Sequence, residues 1–359
     1  MTVQNRIRVL IIDDSAIVRK VLSDSLAGEP DIEVVGTAPD PFVARDKILA
    51  LKPDVLTLDI EMPRMDGLTF LRKVMHYQPM PVIVVSSLGD ASSRIALEAL
   101  EAGAIDVLAK PGGPQSVGEL RLSIASKIRA ARIARLRPSK TTPSAPPQTA
   151  ASKSLPAFSP SAVIAIGAST GGTEAIRSVL VDLPENSPGV VIAQHIPAVF
   201  SRSFAGRLNE LCVIRVREAQ DGDKLEPGLA LIAPGNFHML LRRASSGYRV
   251  EIKKGPLVCF QRPAVDVLFH SVAEAAGPGA TAAILTGMGS DGVQGMLALK
   301  KAGGLTIAQD EESCVVFGMP REAIKVGAVD QVLPLPAISG ALLAGSRQSR
   351  QYPSSLIKY

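Results

Sequence analysis

The chain of 359 residues has no tryptophan, and its few phenylalanines and tyrosines bring aromatics to only 4%. Such rings build the stacking platforms that hold single-stranded nucleic acid, so their scarcity argues against that partner. Three cysteines, Cys212, Cys259 and Cys314, lie far apart and form no CxxC pair. They supply neither a disulfide framework nor a zinc site. No apolar run approaches the length of a membrane span. The early run RVLII is short and ends in aspartates, unlike a signal peptide. A cytoplasmic location without membrane insertion is expected. A large excess of one charge is also missing: 39 basic against 34 acidic residues leave +5. Part of that excess, Lys127, Arg129, Arg132, Arg135, Arg137 and Lys140, sits at a helix end and in a linker, where a solvated basic connector accounts for it. No compact helix-turn-helix with a basic recognition helix follows, so no nucleic-acid partner is expected.

What is present is a chain 46% hydrophobic, rich in Val, Ile, Leu and Ala, and long enough for two domains with full cores. In the first part, the short apolar runs RVLII, IEVVGTA, VLTLDI, PVIVVSS and AIDVLA alternate with helix-spaced segments. That alternation predicts a doubly wound parallel sheet, whose functional groups collect at the carboxyl ends of the strands. Asp13 and Asp14 close the first strand, Asp59 the third, Ser86 the fourth and Lys110 the fifth. Converging carboxylates repel unless a cation joins them, so a hard divalent ion such as Mg²⁺ is expected. With it, an aspartate can act as a nucleophile towards phosphoryl groups. For any one of these residues a loop carboxylate or a helix cap is the plain alternative.

A stretch rich in Pro, Ser, Thr and Ala, without apolar periodicity, then separates the domains. The expected division is 1–128, a linker at 129–160, a second domain at 161–345 and a loose polar tail at 346–359. The second domain is again α/β with a mostly parallel sheet, and the region 229–253 is expected to add an antiparallel edge.

The second domain opens on AVIAIGASTGGTEAI, a buried strand followed by a helix, with Ser169 on the turn between them. A dinucleotide fingerprint needs GxGxxG and a later acid, and a P-loop needs a lysine after its glycines; neither is here. Two readings remain, a helix N-cap and a nucleophile whose oxyanion is met by N–H groups at the helix start. A nucleophilic serine needs a base. Of four histidines, His195 alone ends the strand that follows the Ser169 unit; His76, His238 and His270 lie elsewhere. The base needs an orienting carboxylate, and Asp291, in TGMGSDG after another strand, fits best, with Asp221, Asp223 and Asp310 as rivals. Capping the helix that follows it is the alternative role for Asp291.

On DD at 13–14, LDIEMPRMDG around Asp59, Ser86 and Lys110–Pro111, the first domain resembles the receiver domain of bacterial response regulators. The resemblance implies a flavodoxin-like fold with Asp59 as phosphoacceptor. It implies Mg²⁺ held by Asp14, Asp59 and the carbonyl of Glu61 with Asp13 behind them, and Ser86 and Lys110 on the phosphoryl oxygens. Receivers often carry an aromatic switch residue where this chain has Val107. On IGASTGGTEAIRSVL, AQHIPAVFSRSFAGRLN, IAPGNFHM, RPAVDVLFHSVA, ILTGMGSDG and CVVFGMPREAI, the second domain resembles the catalytic domain of the CheB family of chemotaxis protein-glutamate methylesterases. That implies a Rossmann-like domain with Ser169, His195 and Asp291 as a triad, backbone N–H groups of Thr170 and Met288 as oxyanion hole, and no cofactor in the esterase site. It further implies a phosphorylation-activated monomer that takes its phosphoryl group from a chemotaxis histidine kinase. Methyl-esterified glutamates of chemoreceptors would be hydrolysed, and selected glutamines deamidated. A response regulator whose output domain binds without catalysis is the alternative.

Overall fold

The structure, a computed structural model, describes residues 6–87, 89–110, 114–136 and 158–347. Most of the expected linker, residues 137–157, lies outside the described residues, as do Pro111 and 348–359 of the expected tail. The chain divides into two compact units, 1–141 and 142–359.

The first unit alternates β1 (Ile7–Ile12), α1 (Ala16–Leu26), β2 (Ile32–Ala38), α2 (Pro41–Leu51) and β3 (Val55–Asp59). It continues with α3 (Gly67–Tyr77), β4 (Val82–Ser86), α4 (Asp90–Glu101), β5 (Asp106–Ala109) and α5 (Pro114–Ile133). The strands pair in parallel in the order β2-β1-β3-β4-β5, one of the two common doubly wound orders. Helices cover both faces, so β3 and β4 are buried along their whole length and read as apolar runs. Side-chain caps start α1, α2 and α3: the Ser15 hydroxyl accepts from Val18 N–H, the Asp40 carboxylate from Phe42 and Val43 N–H, and the Asp66 carboxylate from Thr69 N–H. Helix α5 runs to Ile133, past residue 128 where the linker was expected. The Arg129 guanidinium explains the extension, since it holds both oxygens of Asp31 at 2.6–2.7 Å.

The second unit runs β6 (Val163–Ala168), α6 (Gly172–Leu180), β7 (Gly189–Gln194), α7 (Ala198–Leu211), β8 (Arg215–Glu218), β9 (Lys224–Leu225) and β10 (Leu229–Ile232). Then come β11 (His238–Arg243), β12 (Tyr248–Lys253), α8 (Val265–Ala276), β13 (Ala280–Ile284), α9 (Val293–Lys301) and β14 (Leu305–Gln309). The unit ends with α10 (Met319–Lys325), β15 (Gln331–Leu333) and α11 (Leu335–Gly345). Seven parallel strands line up as β15-β14-β13-β6-β7-β10-β8. The chain winds from β6 through β7 on one side and returns to β13 on the other, so a topological switch point lies beside the end of β6.

Three expectations change. The 229–253 region adds no antiparallel edge: β10 joins the parallel sheet, while β11 and β12 pair with each other and with β9 in a separate sheet of three. The long β11–β12 hairpin satisfies its own hydrogen bonds and packs on α8, where the Ser271 hydroxyl accepts from Leu241 N–H. Residues 158–160, expected as linker, dock on the second unit, with the Ser159 N–H on the Ser346 carbonyl at 3.3 Å and Arg347 over the Phe158 ring. Ser346 is accordingly no loose end: it is buried and closes α11, a helix that its internal proline and glycines hide from periodicity.

Helix α8 lies unusually close to β6. A Cβ on Gly167 would meet Val265 Cγ1 at 2.2 Å and Phe269 Cζ at 3.0 Å, so only glycine lets the helix approach. The consequence is positional: the first turn of α8 is pressed against the carboxyl end of the sheet.

Candidate active site

Ser169 is the first residue beyond β6, and the chain turns through Gly171 (φ 76°) into α6. Its own backbone is pinned on three sides. Ser169 N–H donates to the Thr286 carbonyl (3.0 Å), while the Ser169 carbonyl accepts from Gly172 N–H (2.7 Å) and from Gln194 Nε2 (2.8 Å). Strand register brings His195 alongside, because Ala168 pairs with Gln194 across β6 and β7, and His195 N–H donates to the Ala168 carbonyl at 3.1 Å. From the opposite neighbour, β13, the chain continues through Thr286, Gly287 and Met288 over the serine. A Cβ on Gly287 would stand 2.6 Å from Ser169 Cβ. Met288, next in the chain, is half-buried.

His195 Nε2 lies 2.7 Å from Asp291 Oδ2. With the carboxylate on that nitrogen, the neutral ring carries its proton on Nε2 and keeps a lone pair on Nδ1. Nδ1 is buried with no hydrogen-bond partner among the described residues. Ser169 is 9% exposed, His195 8% and Asp291 2%, so the residues form a nearly dry set. Asp291 does not cap the helix that follows it, as its place in the sequence suggested. Its two oxygens instead accept from Val265 N–H (2.7 Å) and Asp266 N–H (2.9 Å), the first turn of α8. Burial works against ionisation, but the His195 hydrogen bond and these two amides outweigh it and hold the carboxyl below its usual value. Beneath it, Asp266 accepts from Gly295 N–H (2.7 Å), and burial together with the Asp291 charge pushes its carboxyl up.

The rival acids are occupied elsewhere. Asp221 accepts from Ile252 N–H, Asp223 from Gln220 N–H beside Arg217, and Asp310 from Ser313 N–H. His238 is a structural residue between the Pro256 carbonyl and Ala264 N–H, and His270 is exposed on α8.

Sequence reasoning missed the bracing. Gln194 Nε2 reaches the carbonyls of both Ser169 and His195. Thr286 donates its hydroxyl to the Thr170 carbonyl (3.0 Å) and accepts Val316 N–H (2.9 Å), and its N–H donates to Gln309 Oε1 (2.8 Å). The segment CVVFGM is the clamp of this turn: Gly287 N–H donates to Val316, and Gly318 and Met319 N–H return to the Gly287 carbonyl. The one available signal was that Gln194 and Gln309 end buried strands, where an amide is costly unless bonded.

In the first unit, Asp13, Asp14 and Asp59 place carboxylate oxygens within 4.8 Å of one another. Lys110 Nζ lies 2.7 Å from Asp59 and 3.1 Å from Asp13, and its N–H donates to the Ser86 carbonyl. Burial, with the Asp13 charge behind it, raises the Asp59 carboxyl to about 6 against the pull of Lys110. The Ser86 hydroxyl is turned to the Ser92 carbonyl (3.3 Å). Glu61 N–H donates to Asp59 Oδ1, while its side chain takes the hydroxyls of Ser87 and Ser92. Val107 is buried in β5.

Known proteins resemble both units of the chain. The CheB methylesterase family model matches residues 164–342, and the response regulator receiver domain model matches residues 9–120. The protein-glutamate methylesterase/protein-glutamine glutaminase 2 of Syntrophus aciditrophicus is 55% identical over 94% of this chain and 99% of its own length. The protein-glutamate methylesterase/protein-glutamine glutaminase of Salmonella typhimurium is 55% identical over 95% and 97%. Among solved structures, the Thermotoga maritima CheB methylesterase catalytic domain is 40% identical, with a TM-score of 0.50, covering 51% of this chain and 97% of that one. A response regulator receiver domain followed by this α/β domain, in a chain more than half identical to such relatives along nearly their whole length, places the protein in the CheB methylesterase family.

Proposed function

We propose that Ser169, His195 and Asp291 act as a triad that hydrolyses glutamate methyl esters on chemoreceptors, and that the same acyl transfer deamidates selected glutamines. The observation that carries the reading is the His195 ring, fixed at Nε2 by Asp291 and left with an unpartnered Nδ1 at the strand end beside Ser169. His195 Nδ1 takes the Ser169 hydroxyl proton as Oγ attacks the ester carbonyl, and Asp291 stabilises the imidazolium. Backbone N–H groups of Thr170 and Met288 receive the oxyanion. Collapse expels methanol, which leaves with the proton from His195, and water then attacks the acyl-serine by the reverse route to give glutamate. For a glutamine the leaving group is ammonia.

Asp59 is the phosphoacceptor in this reading, with a histidine kinase as donor. Three hard carboxylates at one sheet edge fit Mg²⁺, held by Asp14, Asp59 and the Glu61 carbonyl with Asp13 behind them. When bound, the ion would neutralise charge on the phosphoryl group. Lys110, already at Asp59, and Ser86, once its hydroxyl leaves the Ser92 carbonyl, would take the phosphoryl oxygens. Methanol and ammonia release from methylated and amidated receptor, with and without a small acyl phosphate, tests the assignment. Methanol release stimulated by the phosphodonor is expected, and no release under either condition contradicts it.

A further inference from the structure

Just before α8, residues 258–261 close a two-residue hairpin: Val258 N–H donates to the Gln261 carbonyl (3.1 Å) and Gln261 N–H returns to Val258 (2.8 Å). Its central residues are Cys259 and Phe260, both in the left-handed region at φ 51° and 61°. Tight turns of this kind favour Asn-Gly, and a cysteine and a phenylalanine there are strained. The tip is also poorly placed for folding, since Phe260 is 82% exposed and neighbouring Leu257 49%. Strain and exposed apolar area thus coincide in one short segment.

That segment lies at the triad. Cys259 is exposed, yet its Sγ comes within 4.8 Å of the carboxylates of Asp266 and Asp291. The base of the turn is braced: Arg262 Nη1 donates to the Gly255 carbonyl (2.6 Å), Asn236 N–H to the Arg262 carbonyl (3.1 Å), and the His238 ring bridges Pro256 and Ala264. A braced, strained turn that holds an aromatic ring out in water, one residue from a cysteine whose Sγ lies by the acid of the proposed triad, has the features of a binding element.

We infer that Phe260, with Leu257 beside it, is the docking point for apolar side chains that flank the target residue on the protein substrate. The inference rests on the esterase reading above, in which the ester is carried by a polypeptide whose neighbouring residues must lie across the rim of the site. Phe260 is a positioning residue, because it touches the flanking chain and not the ester. An aromatic ring on a braced backbone, with only two χ angles to fix, suits such a contact.

The test uses full-length protein with Mg²⁺ and a small acyl phosphate in every arm. Wild type, Phe260→Ala and Leu257→Ala are assayed on methyl-esterified receptor fragment and on a small N-acyl glutamate γ-methyl ester. Phe260→Ala should raise KM for the receptor about tenfold with kcat little changed. It should leave the small ester untouched and not lower the melting temperature; Leu257→Ala should do the same more weakly. An unchanged receptor KM in Phe260→Ala overturns the inference, as does an equal loss on both substrates. A shift of Phe260→Ala to a smaller assembly would show that a second copy covers the turn, and would overturn it too. If wild type cleaves the small ester but releases nothing from the receptor, the substrate assignment fails along with the inference. Wild-type release with an unaltered Phe260→Ala sinks the inference alone.

Discussion

Both units put a buried aspartate at the carboxyl edge of a parallel sheet, yet they treat it in opposite ways. Asp59 is buried with Asp13 beside it, and Lys110 and one amide, Glu61 N–H, do not offset that burial, so its carboxyl rises to about 6. Asp291 is buried as well, but two amides of α8 and the His195 ring surround it, and its carboxyl falls below the ordinary value. The difference matches the chemistry proposed for each. A group awaiting a cation and a phosphoryl group is left under-compensated, whereas a group that must stay ionised throughout a turnover is supplied with donors beforehand.

The sharpest break in the comparison is His195→Gln. Removing the base of a serine triad costs about 10⁶ in kcat, so methanol release should fall to background while circular dichroism stays unchanged. A surviving rate within about tenfold of wild type would remove His195 from the chemistry. Next, Asp291→Asn should cost about 10⁴, since an amide fixes the wrong tautomer and cannot stabilise the imidazolium. Asp310→Asn should leave the rate near wild type, its carboxylate serving only the Ser313 turn. If these two results were exchanged, the contrast drawn here would be lost.

On the receiver side, Asp59→Asn should abolish activation by a small acyl phosphate while preserving the basal rate. The response lost is expected at about 5- to 150-fold, the size of typical two-site couplings. The smallest effect is a pH dependence. A carboxyl whose folded pKa is raised from 3.8 to about 6 gives stability at low pH that is lost as pH climbs between those values. Mg²⁺ must displace that proton, so its affinity should drop by up to tenfold per pH unit below about 6, read by calorimetry. In the absence of Mg²⁺, Asp59→Asn should melt higher than wild type at pH 7 and equal to it at pH 4. A pH-independent Mg²⁺ affinity would mean that Asp59 is not the titrating ligand.

The α/β class and the strand ends carrying Ser169, His195 and Asp291 were legible because parallel strands buried on both faces read as apolar runs with polar closures. The partners of those residues were not. Asp291 holds amides of a helix that precedes it in sequence, Gln194 braces a carbonyl on the neighbouring strand, and Thr286 ties together Thr170, Val316 and Gln309. Each contact is long-range, and nothing local marks it. Local signals gave no helix at α11, where a proline and two glycines sit inside an element that its packing against α6 and β14 sustains. At 229–253 they were silent on whether a hairpin extends a sheet or leaves it.

The central claim is that Ser169 is the nucleophile of the esterase unit. Methanol release from methyl-esterified receptor by full-length wild type and Ser169→Ala, each with Mg²⁺ and a small acyl phosphate, tests it most directly. Wild type should release methanol steadily and Ser169→Ala none above background, with the two proteins melting at closely similar temperatures. Retention of more than about a tenth of the wild-type rate by Ser169→Ala, a loss far short of that expected for a triad nucleophile, would contradict the account.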